Sequence, residues 1–365
     1  MKFSVMNEAL LGPLQVVSGI IEKKPSSPIL SNVLLSVEDQ HLTITGSNAE
    51  IEMVTRLYLD GEQHELGEIT VPGKKLYDIC RSIKEDELIH FSAQEGKVAV
   101  AHGQSRFSLI SLPANDYPNI LELGDSKTIE LEQSHLKALF DYTQFAMAQQ
   151  DVRFYLNGLL LNIGSGQVRA VATDGHRMAL ATIPLEGVED QYSVIIPRKS
   201  VVELCKLLAS GPIKLSIDDN HLFVIAEHFT FISKLVDGRF PDYEKVILRN
   251  PAKNIVVNRE HFKEALVQAS ILCDEKLRGV RLAFEAGKIT LFSNNPQQEQ
   301  AQIEVESDYS GESFEIGFNI NYLIDVMQIM RSEFVCILLD ANHSNALFEE
   351  QDGNDCQYVV MPMLL

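Results

Sequence analysis

The chain of 365 residues carries 31 Lys and Arg against 51 Asp and Glu, a formal net charge of −20, with 45% hydrophobic and 22% charged residues. That balance excludes a disordered or fibrous chain, and at about 100–200 residues per domain it predicts two or three globular domains. The acidity counts against indiscriminate DNA binding, which needs Lys and Arg opposite phosphate, but a total says nothing about where charges sit.

From the start of the chain, Met1-Lys2-Phe3-Ser4-Val5-Met6-Asn7-Glu8 has no basic stretch ahead of an apolar core, so no signal peptide is expected. No run approaches the roughly 18 apolar residues of a membrane helix, so no membrane partner is expected. Phe3-Ser4-Val5 opens an alternating strand, and Leu10, Leu11, Leu14, Val17 and Ile21 follow at helical spacing. Strand alternation then runs through Leu42 and Ile44, with Glu38-Asp39-Gln40 as a hairpin turn. Val71-Pro72-Gly73-Lys74-Lys75 ends a strand and begins a second helix, with Pro72 predicted in its first turn, where a missing N–H costs nothing. Further strands carry Val98, Val100, Phe107 and Leu109, turned at Glu95-Gly96.

The pattern then restarts. Ile129-Glu130-Leu131 and Ile255-Val256-Val257 each stand 126 residues beyond the previous opening strand. The helix after the second opening shows Leu136, Leu139, Phe140 and Thr143; the helix after the third shows Phe262, Leu266, Ala269 and Ile271. Ser31-Asn32-Val33-Leu34-Leu35 matches Leu156-Asn157-Gly158-Leu159-Leu160 and Leu277-Arg278-Gly279-Val280-Arg281. Ile196-Pro197-Arg198-Lys199-Ser200 and Gly317-Phe318-Asn319-Ile320-Asn321 repeat the second helix entrance, again with Pro197 in a first turn. Leu222, Val224, Phe229, Phe231, Ile289 and Leu291 continue the alternation, with a turn at Asp218-Asp219-Asn220.

Each repeat therefore reads strand, helix, three strands, helix, three strands. The fold class is α+β, in three domains at 1–124, 125–250 and 251–365, with boundaries near Leu123 and Asn250. Exposed edge strands must pair with something. The expected solution is that sheets continue across the repeat boundaries and the last edge meets the first edge of another copy, closing a ring. The five cysteines (Cys80, Cys205, Cys273, Cys336 and Cys356) are odd in number and scattered. They predict reduced thiols in a cytoplasmic protein and no zinc site. Cys80 and Cys205 share a repeat position and read as core.

The charge divides unevenly, as −8, −2 and −10 over residues 1–125, 126–250 and 251–365. Basic residues gather on predicted helices: Lys74, Lys75, Arg81 and Lys84 against Asp78, and Arg198, Lys199 and Lys206 against Glu203, with Lys23 and Lys24 after the first helix. An ordinary solvated helix face explains this, and so does a basic lining turned toward phosphates. There is no Gly-x-Ser-x-Gly, His-Glu-x-x-His, Gly-x-x-x-x-Gly-Lys-Ser/Thr or Gly-x-Gly-x-x-Gly motif, so no catalytic residue, cofactor or metal is expected. Asp174 and His176, two apart with no nucleophile nearby, make a weak acid–base pair. A repeat-built scaffold that binds only proteins, without encircling DNA, is the competing reading.

Four segments carry a family resemblance: Gln150-Asp151-Val152-Arg153-Phe154-Tyr155-Leu156-Asn157-Gly158, Thr173-Asp174-Gly175-His176-Arg177, Ser233-Lys234-Leu235-Val236-Asp237-Gly238-Arg239-Phe240-Pro241-Asp242-Tyr243, and Tyr358-Val359-Val360-Met361-Pro362-Met363. With three repeats of the right length, the chain resembles the bacterial sliding clamps, the β subunits of DNA polymerase III, over essentially its full length. The resemblance implies a head-to-tail homodimer with helices lining a central hole and sheets outside. Duplex DNA, held without sequence specificity, passes through that hole. It also implies a non-catalytic processivity role, tethering the DNA polymerase III α subunit, the clamp loader, other DNA polymerases and repair proteins through a short linear peptide.

By matching motifs, the resemblance implies DNA contacts at Lys24, Lys74, Arg81, Gln150, Arg153, Phe154, Tyr155, Arg198 and Lys199. It implies a peptide groove at Leu156, Thr173, Gly175, His176, Arg177, Met178, Pro241, Lys245, Val246, Asn345, Val359, Val360, Met361, Pro362 and Met363. It implies a dimer joint of Lys75, Arg106, Phe107 and Leu109 against Ile271, Leu272, Glu299 and Glu304. The sequence departs from the family pattern at several positions. Phe154 lacks a hydroxyl the family often has, Lys24 and Lys245 stand for arginines, Gln104 sits where arginine can occur, and Leu364 replaces a penultimate arginine.

Overall fold

The computed structural model describes residues 1–22, 27–60, 64–94, 96–118, 128–188, 190–353 and 355–364. Lys23, Lys24, Glu95 and Leu123 lie outside the described residues. The first repeat runs β1 (Lys2–Met6), α1 (Asn7–Ile20), β2 (Asn32–Glu38), β3 (His41–Ser47), β4 (Ile51–Tyr58), β5 (Gly67–Pro72), α2 (Gly73–Ser82), β6 (Leu88–Gln94), β7 (Lys97–His102) and β8 (Ser105–Ile110). The second runs β9 (Thr128–Glu132), α3 (Gln133–Thr143), β10 (Gly158–Gly164), β11 (Gln167–Thr173), β12 (Arg177–Pro184), β13 (Tyr192–Pro197), α4 (Arg198–Leu207), β14 (Pro212–Ile217), β15 (His221–Ile225) and β16 (Phe229–Lys234). The third runs β17 (Lys253–Asn258), α5 (Arg259–Ser270), β18 (Gly279–Glu285), β19 (Lys288–Asn294), β20 (Gln300–Glu306), β21 (Phe314–Asn319), α6 (Ile320–Ile329), β22 (Phe334–Leu339), β23 (Ala346–Glu350) and β24 (Cys356–Val360).

Four strands, not the expected three, separate the helices of each repeat. The physical reason lies in strands such as β4 and β12. Ile51, Glu52 and Met53 are buried in succession, as are Met178, Ala179, Leu180 and Ala181. A strand covered on both faces loses the period-two signal. Pro72 and Pro197 close β5 and β13 immediately before their helices instead of entering the first turn. The matched segments also shift by one residue: Asn32 pairs with Pro72, Gly158 with Pro197 and Gly279 with Asn319, so Asn32 corresponds to Gly158 and not to Asn157.

The chain divides into two compact units, Met1–Ser134 with Val202–Leu235, and His135–Val201 with Val236–Leu365. The first contains an eight-stranded sheet in the order β5-β2-β3-β4-β16-β15-β14-β9 and a four-stranded sheet β1-β6-β7-β8. The second contains β13-β10-β11-β12-β24-β23-β22-β17 and β20-β19-β18-β21. All strand pairs are antiparallel. Sheets do continue from one repeat to the next: β4 pairs with β16, Ile51 opposite Ser233, and β12 pairs with β24, Arg177 opposite Val360.

Helix α1 packs on α2, and α5 on α6. The helical stripe of α1 buries Leu10, Leu14 and Val17 as expected, with Ile20 in place of Ile21. Leu136, Leu139, Phe140 and Thr143 of α3 are all fully buried. Three unlike side chains then do one job. The first residue of each repeat's first helix, Asn7, Gln133 or Arg259, donates to carbonyls near the end of that repeat's second helix. Asn7 reaches the carbonyls of Cys80 and Ile83 at 2.9 Å, Gln133 that of Ser210 at 2.9 Å, and Arg259 that of Ser332 at 2.9 Å. Cys80 lies in the last turn of α2, while Ile83, Ser210 and Ser332 lie one to three residues past α2, α4 and α6, so each side chain ties the first helix of its repeat to the segment that ends the second. Cys80 and Cys205 are buried, as expected of core, and burial pushes the Cys80 thiol up to about 12. No helix among the described residues is long and apolar enough to cross a membrane.

Candidate peptide groove and nucleic-acid interface

In the second unit, residues 150–157 form a tight turn held by its own side chains. Gln150 takes a positive φ of 55°. The Asn157 amide is reciprocal with Asp151, accepting from its N–H at 2.9 Å and donating to its carbonyl at 2.8 Å. Arg153 donates twice to the Asp151 carboxylate, from Nε at 3.0 Å and from the guanidinium end at 2.9 Å. This leaves Phe154 58% exposed, edge-on to Tyr155 with ring centroids 6.0 Å apart. The Arg198 N–H donates to the Asn157 carbonyl at 2.9 Å, bringing the start of α4 to the same turn. Six of the expected DNA contacts, Gln150, Arg153, Phe154, Tyr155, Arg198 and Lys199, therefore share one neighbourhood. Arg198 is half-buried and donates to the Met147 carbonyl at 3.0 Å. Burial, with Arg177 nearby, lowers its pKa.

The Arg153 side-chain hydrogen bonds hold the Asp151 carboxyl at about 2, below its ordinary 3.8. A depressed acid stabilises the fold above its unfolded value and loses that contribution as pH falls through the folded one. The turn is thus expected to keep its form at pH 4 and to loosen only toward pH 2. A carboxyl-carbon NMR titration of Asp151 checks this, and a midpoint near 3.8 would contradict the pairing.

A second turn, 173–177, stands beside the first. Asp174 Oδ1 accepts from the N–H groups of His176 at 2.9 Å and Arg177 at 3.0 Å, while Thr173 Oγ1 accepts from Gly175 N–H at 3.1 Å. Gly175 has a φ of 88°, and a Cβ there would meet the Arg153 guanidinium at 3.0 Å. Arg177 is spent on internal structure. It pairs with Asp174 at 3.1 Å and with Asp325 of α6, donates to the Phe145 carbonyl at 2.9 Å, and lies over the Tyr322 ring at 4.5 Å. Sequence reading missed Tyr322, Asp325 and Phe145, because nothing in their local pattern announces a distant arginine.

Strand alternation sorts the remaining groove residues. Met178 lies opposite Val359, and Val359 opposite Leu347. These join Leu160, Val171, Leu180, Ile195 and Leu338 in one apolar cluster, and Tyr155, Phe240, Tyr243 and Val246 pack against it. Val360, the next residue along, belongs to the other face with Arg177 and Tyr358. Pro241 and Lys245 are exposed, and Lys245 pairs with Asp242 at 2.9 Å. Asn345 donates to the Val246 carbonyl at 3.3 Å. The tail extends β24: Met361 N–H donates to the His176 carbonyl and Met363 N–H to that of Gly317, both at 2.9 Å. Met361, Pro362 and Met363 are half-buried, while Leu364 is fully exposed. Beyond Leu180 the same sheet face turns polar, bordering a cavity of about 450 Å³ lined by Arg169, Thr182, Glu244, Ile247 and Gln357, among others. The whole arrangement is an apolar strip beside a rigid polar turn, which suits an extended peptide with large apolar side chains.

In the first unit, Lys74, Lys75 and Arg81 are exposed on α2, and Arg81 lies 3.7 Å from Asp78. On β8, Arg106 folds back onto the carbonyls of Gly103 and Ser105 at 2.9 and 2.8 Å, Phe107 is half-buried and Leu109 buried. In the second unit, Ile271 is 74% exposed just past α5, with Leu272 half-buried beside it. Glu299 is held by Asn295, and Glu304 by Lys288 at 2.8 Å. Among the described residues no group of three His, Cys, Asp or Glu side chains could hold a metal.

Comparison with known proteins agrees with this organisation. Family models for the DNA polymerase III beta subunit match in three parts: the N-terminal domain at residues 1–121, the central domain at 130–242 and the C-terminal domain at 244–364. The chain is 48% identical over 369 residues to the beta sliding clamp of Pseudomonas putida and 43% identical over 367 residues to that of Escherichia coli K12, covering 100% of both partners in each case. Its backbone resembles the crystal structure of DNA polymerase III subunit beta from Pseudomonas aeruginosa with a TM-score of 0.97 at 46% identity and full coverage of both chains. It also resembles the sliding clamp of that organism bound to griselimycin, with a TM-score of 0.95.

Proposed function

The chain belongs to the DNA polymerase III beta-subunit family, and from that premise we propose that it is a DNA sliding clamp, a cytoplasmic, non-catalytic processivity factor that closes around duplex DNA as a head-to-tail homodimer. The observation that carries this reading is the pair of strand joints. β4 joins β16 and β12 joins β24, whereas their third-repeat and first-repeat equivalents, β20 and β8, are edge strands. A backbone hydrogen bond closes the turn before each joining strand: Asn48 to Ile51, Asp174 to Arg177 and, across a turn one residue longer, Asn295 to Glu299. Carrying the register of the two internal joints to the ends sets Glu299 of one copy opposite Leu109 of the next, and Ala301 opposite Phe107. Ile271 and Leu272 supply apolar contact near this joint, and Lys75 and Arg106 against Glu299 and Glu304 form a charged rim. The domain divisions at 124 and 250 follow the same repeat.

Lys24, Lys74, Arg81, Gln150, Arg153, Phe154, Tyr155, Arg198 and Lys199 would face DNA. Weak, salt-sensitive phosphate contacts suit a ring that must slide. The apolar strip with Met178, Val246, Val359 and Met361 would take the linear peptides of the polymerase α subunit, the clamp loader and other polymerases and repair proteins. Its flexible methionine walls can adapt to several such peptides. Deleting residues 361–365 tests the groove. The expected outcome is loss of polymerase binding with the dimer retained, because the tail extends β24 without contributing to β8 or β20. Unchanged polymerase binding would refute it.

A further inference from the structure

The first unit contains a counterpart of the groove turn that the proposed function does not use. Asn48 Oδ1 accepts from the N–H groups of Glu50 at 3.0 Å and Ile51 at 2.9 Å, as Asp174 does from His176 and Arg177. Ser47 Oγ accepts from Ala49 N–H at 3.2 Å, as Thr173 does from Gly175, and Ala49 has a φ of 72° where Gly175 has 88°. Lys234 N–H donates to the Glu50 carbonyl at 2.9 Å, the bond that Met361 makes to His176. Glu52 lies opposite Ile232 as Met178 lies opposite Val359. Beside this second turn lies a cavity of about 260 Å³, walled by Leu30, Ile232 and Pro118 and edged by Ser47, Ala49, Glu50, Ile51, Glu52, His221 and Lys234.

The scaffold is the same and the chemistry has changed. Where the groove has His176 and Met178, this cavity has Glu50 at its rim and Glu52 buried at 6% exposure. Lys234 stands where Met361 does. An aliphatic side chain fits the three apolar walls. A cation beside it would meet the exposed Glu50 carboxylate at the rim, with the Glu52 side chain behind it where the groove has a methionine. Lys234 and His221, the basic groups of the edge, disfavour a second cation and can serve the backbone carbonyls of an extended chain. We infer that this cavity is a second peptide-docking site, selective for an extended segment that places Lys or Arg next to an aliphatic residue. The inference rests on the groove reading of the second unit, whose geometry it shares.

The test is methyl NMR of the full-length dimer, following Ile51 and Ile232 for the new site and Met178 and Met361 for the groove. The probes are two acetylated, amidated tetrapeptides, Leu-Lys-Leu-Phe and Leu-Glu-Leu-Phe. The lysine peptide should shift Ile51 and Ile232 saturably and at least about 10-fold more tightly than the glutamate peptide, since opposite charge attracts and like charge repels across the same contact. Glu50→Gln, an exposed position that leaves the fold intact, should narrow that preference. Still signals at Ile51 and Ile232, or equal affinity for the two peptides, would overturn the inference. Silence at Met178 and Met361 with a response at Ile51 and Ile232 would instead sink the groove reading alone.

Discussion

The double substitution Ile271→Ala and Leu272→Ala will raise the dimer dissociation constant about 10⁴-fold. Ile271 is 74% exposed in the single chain and directly follows α5, the helix that packs on the edge strand β20. Burying such a side chain contributes about 1.5–3 kcal/mol. A head-to-tail ring has two joints, so the double substitution removes four apolar contacts at once. Since Ala keeps its Cβ and rims adjust, a total near 6 kcal/mol is the reasonable expectation, or about 10⁴-fold in the dimer dissociation constant. Sedimentation equilibrium reads the constant directly. The far-UV circular dichroism should not change, because neither side chain is fully buried in the free chain. High salt should do far less, since exposed ion pairs such as a Glu299 or Glu304 rim are worth about 0–1 kcal/mol each. A dimer constant unchanged by the double substitution would contradict the proposed joint.

What the sequence made legible follows from which forces act locally. The 126-residue spacing and the buried stripe of α3 were readable because core positions impose a period on neighbouring residues. The continuation of sheets across repeats was readable because an unpaired edge is a general liability. The strand count was not, because β4 and β12 are covered on both faces and lose their alternation. Nor were the helix ties. Asn7, Gln133 and Arg259 share a position and a task, but differ in length and charge, so no composition rule links them. In the candidate site, motif matching gathered Met178, Val246 and Val359 onto one apolar face. It could not foresee that Arg177 would be held by Asp174, Asp325 and the Tyr322 ring, all but one of them distant in sequence.

The acidity of the chain also reads differently once it is located. A net charge of −20 disfavours DNA binding to the protein as a whole. Basic and stacking groups collect in a few places, among them Lys74 and Arg81 on α2 and the turn carrying Arg153 and Phe154. Such a protein should bind DNA poorly in open solution and yet be hard to remove once closed around it. Retention then depends on topology and not on affinity, and a tethered polymerase stays at high effective concentration at the primer end.

That consequence gives the most direct measurement. The dimer is loaded by its clamp loader onto a nicked circular duplex, free protein is removed, and the fraction retained is followed before and after a single restriction cut. Encirclement predicts a long-lived complex on the circle and loss at least about 100-fold faster once an end is available, because weak phosphate contacts alone cannot hold it. Equal lifetimes on circular and linear DNA would contradict encirclement and leave a protein-binding scaffold as the better description.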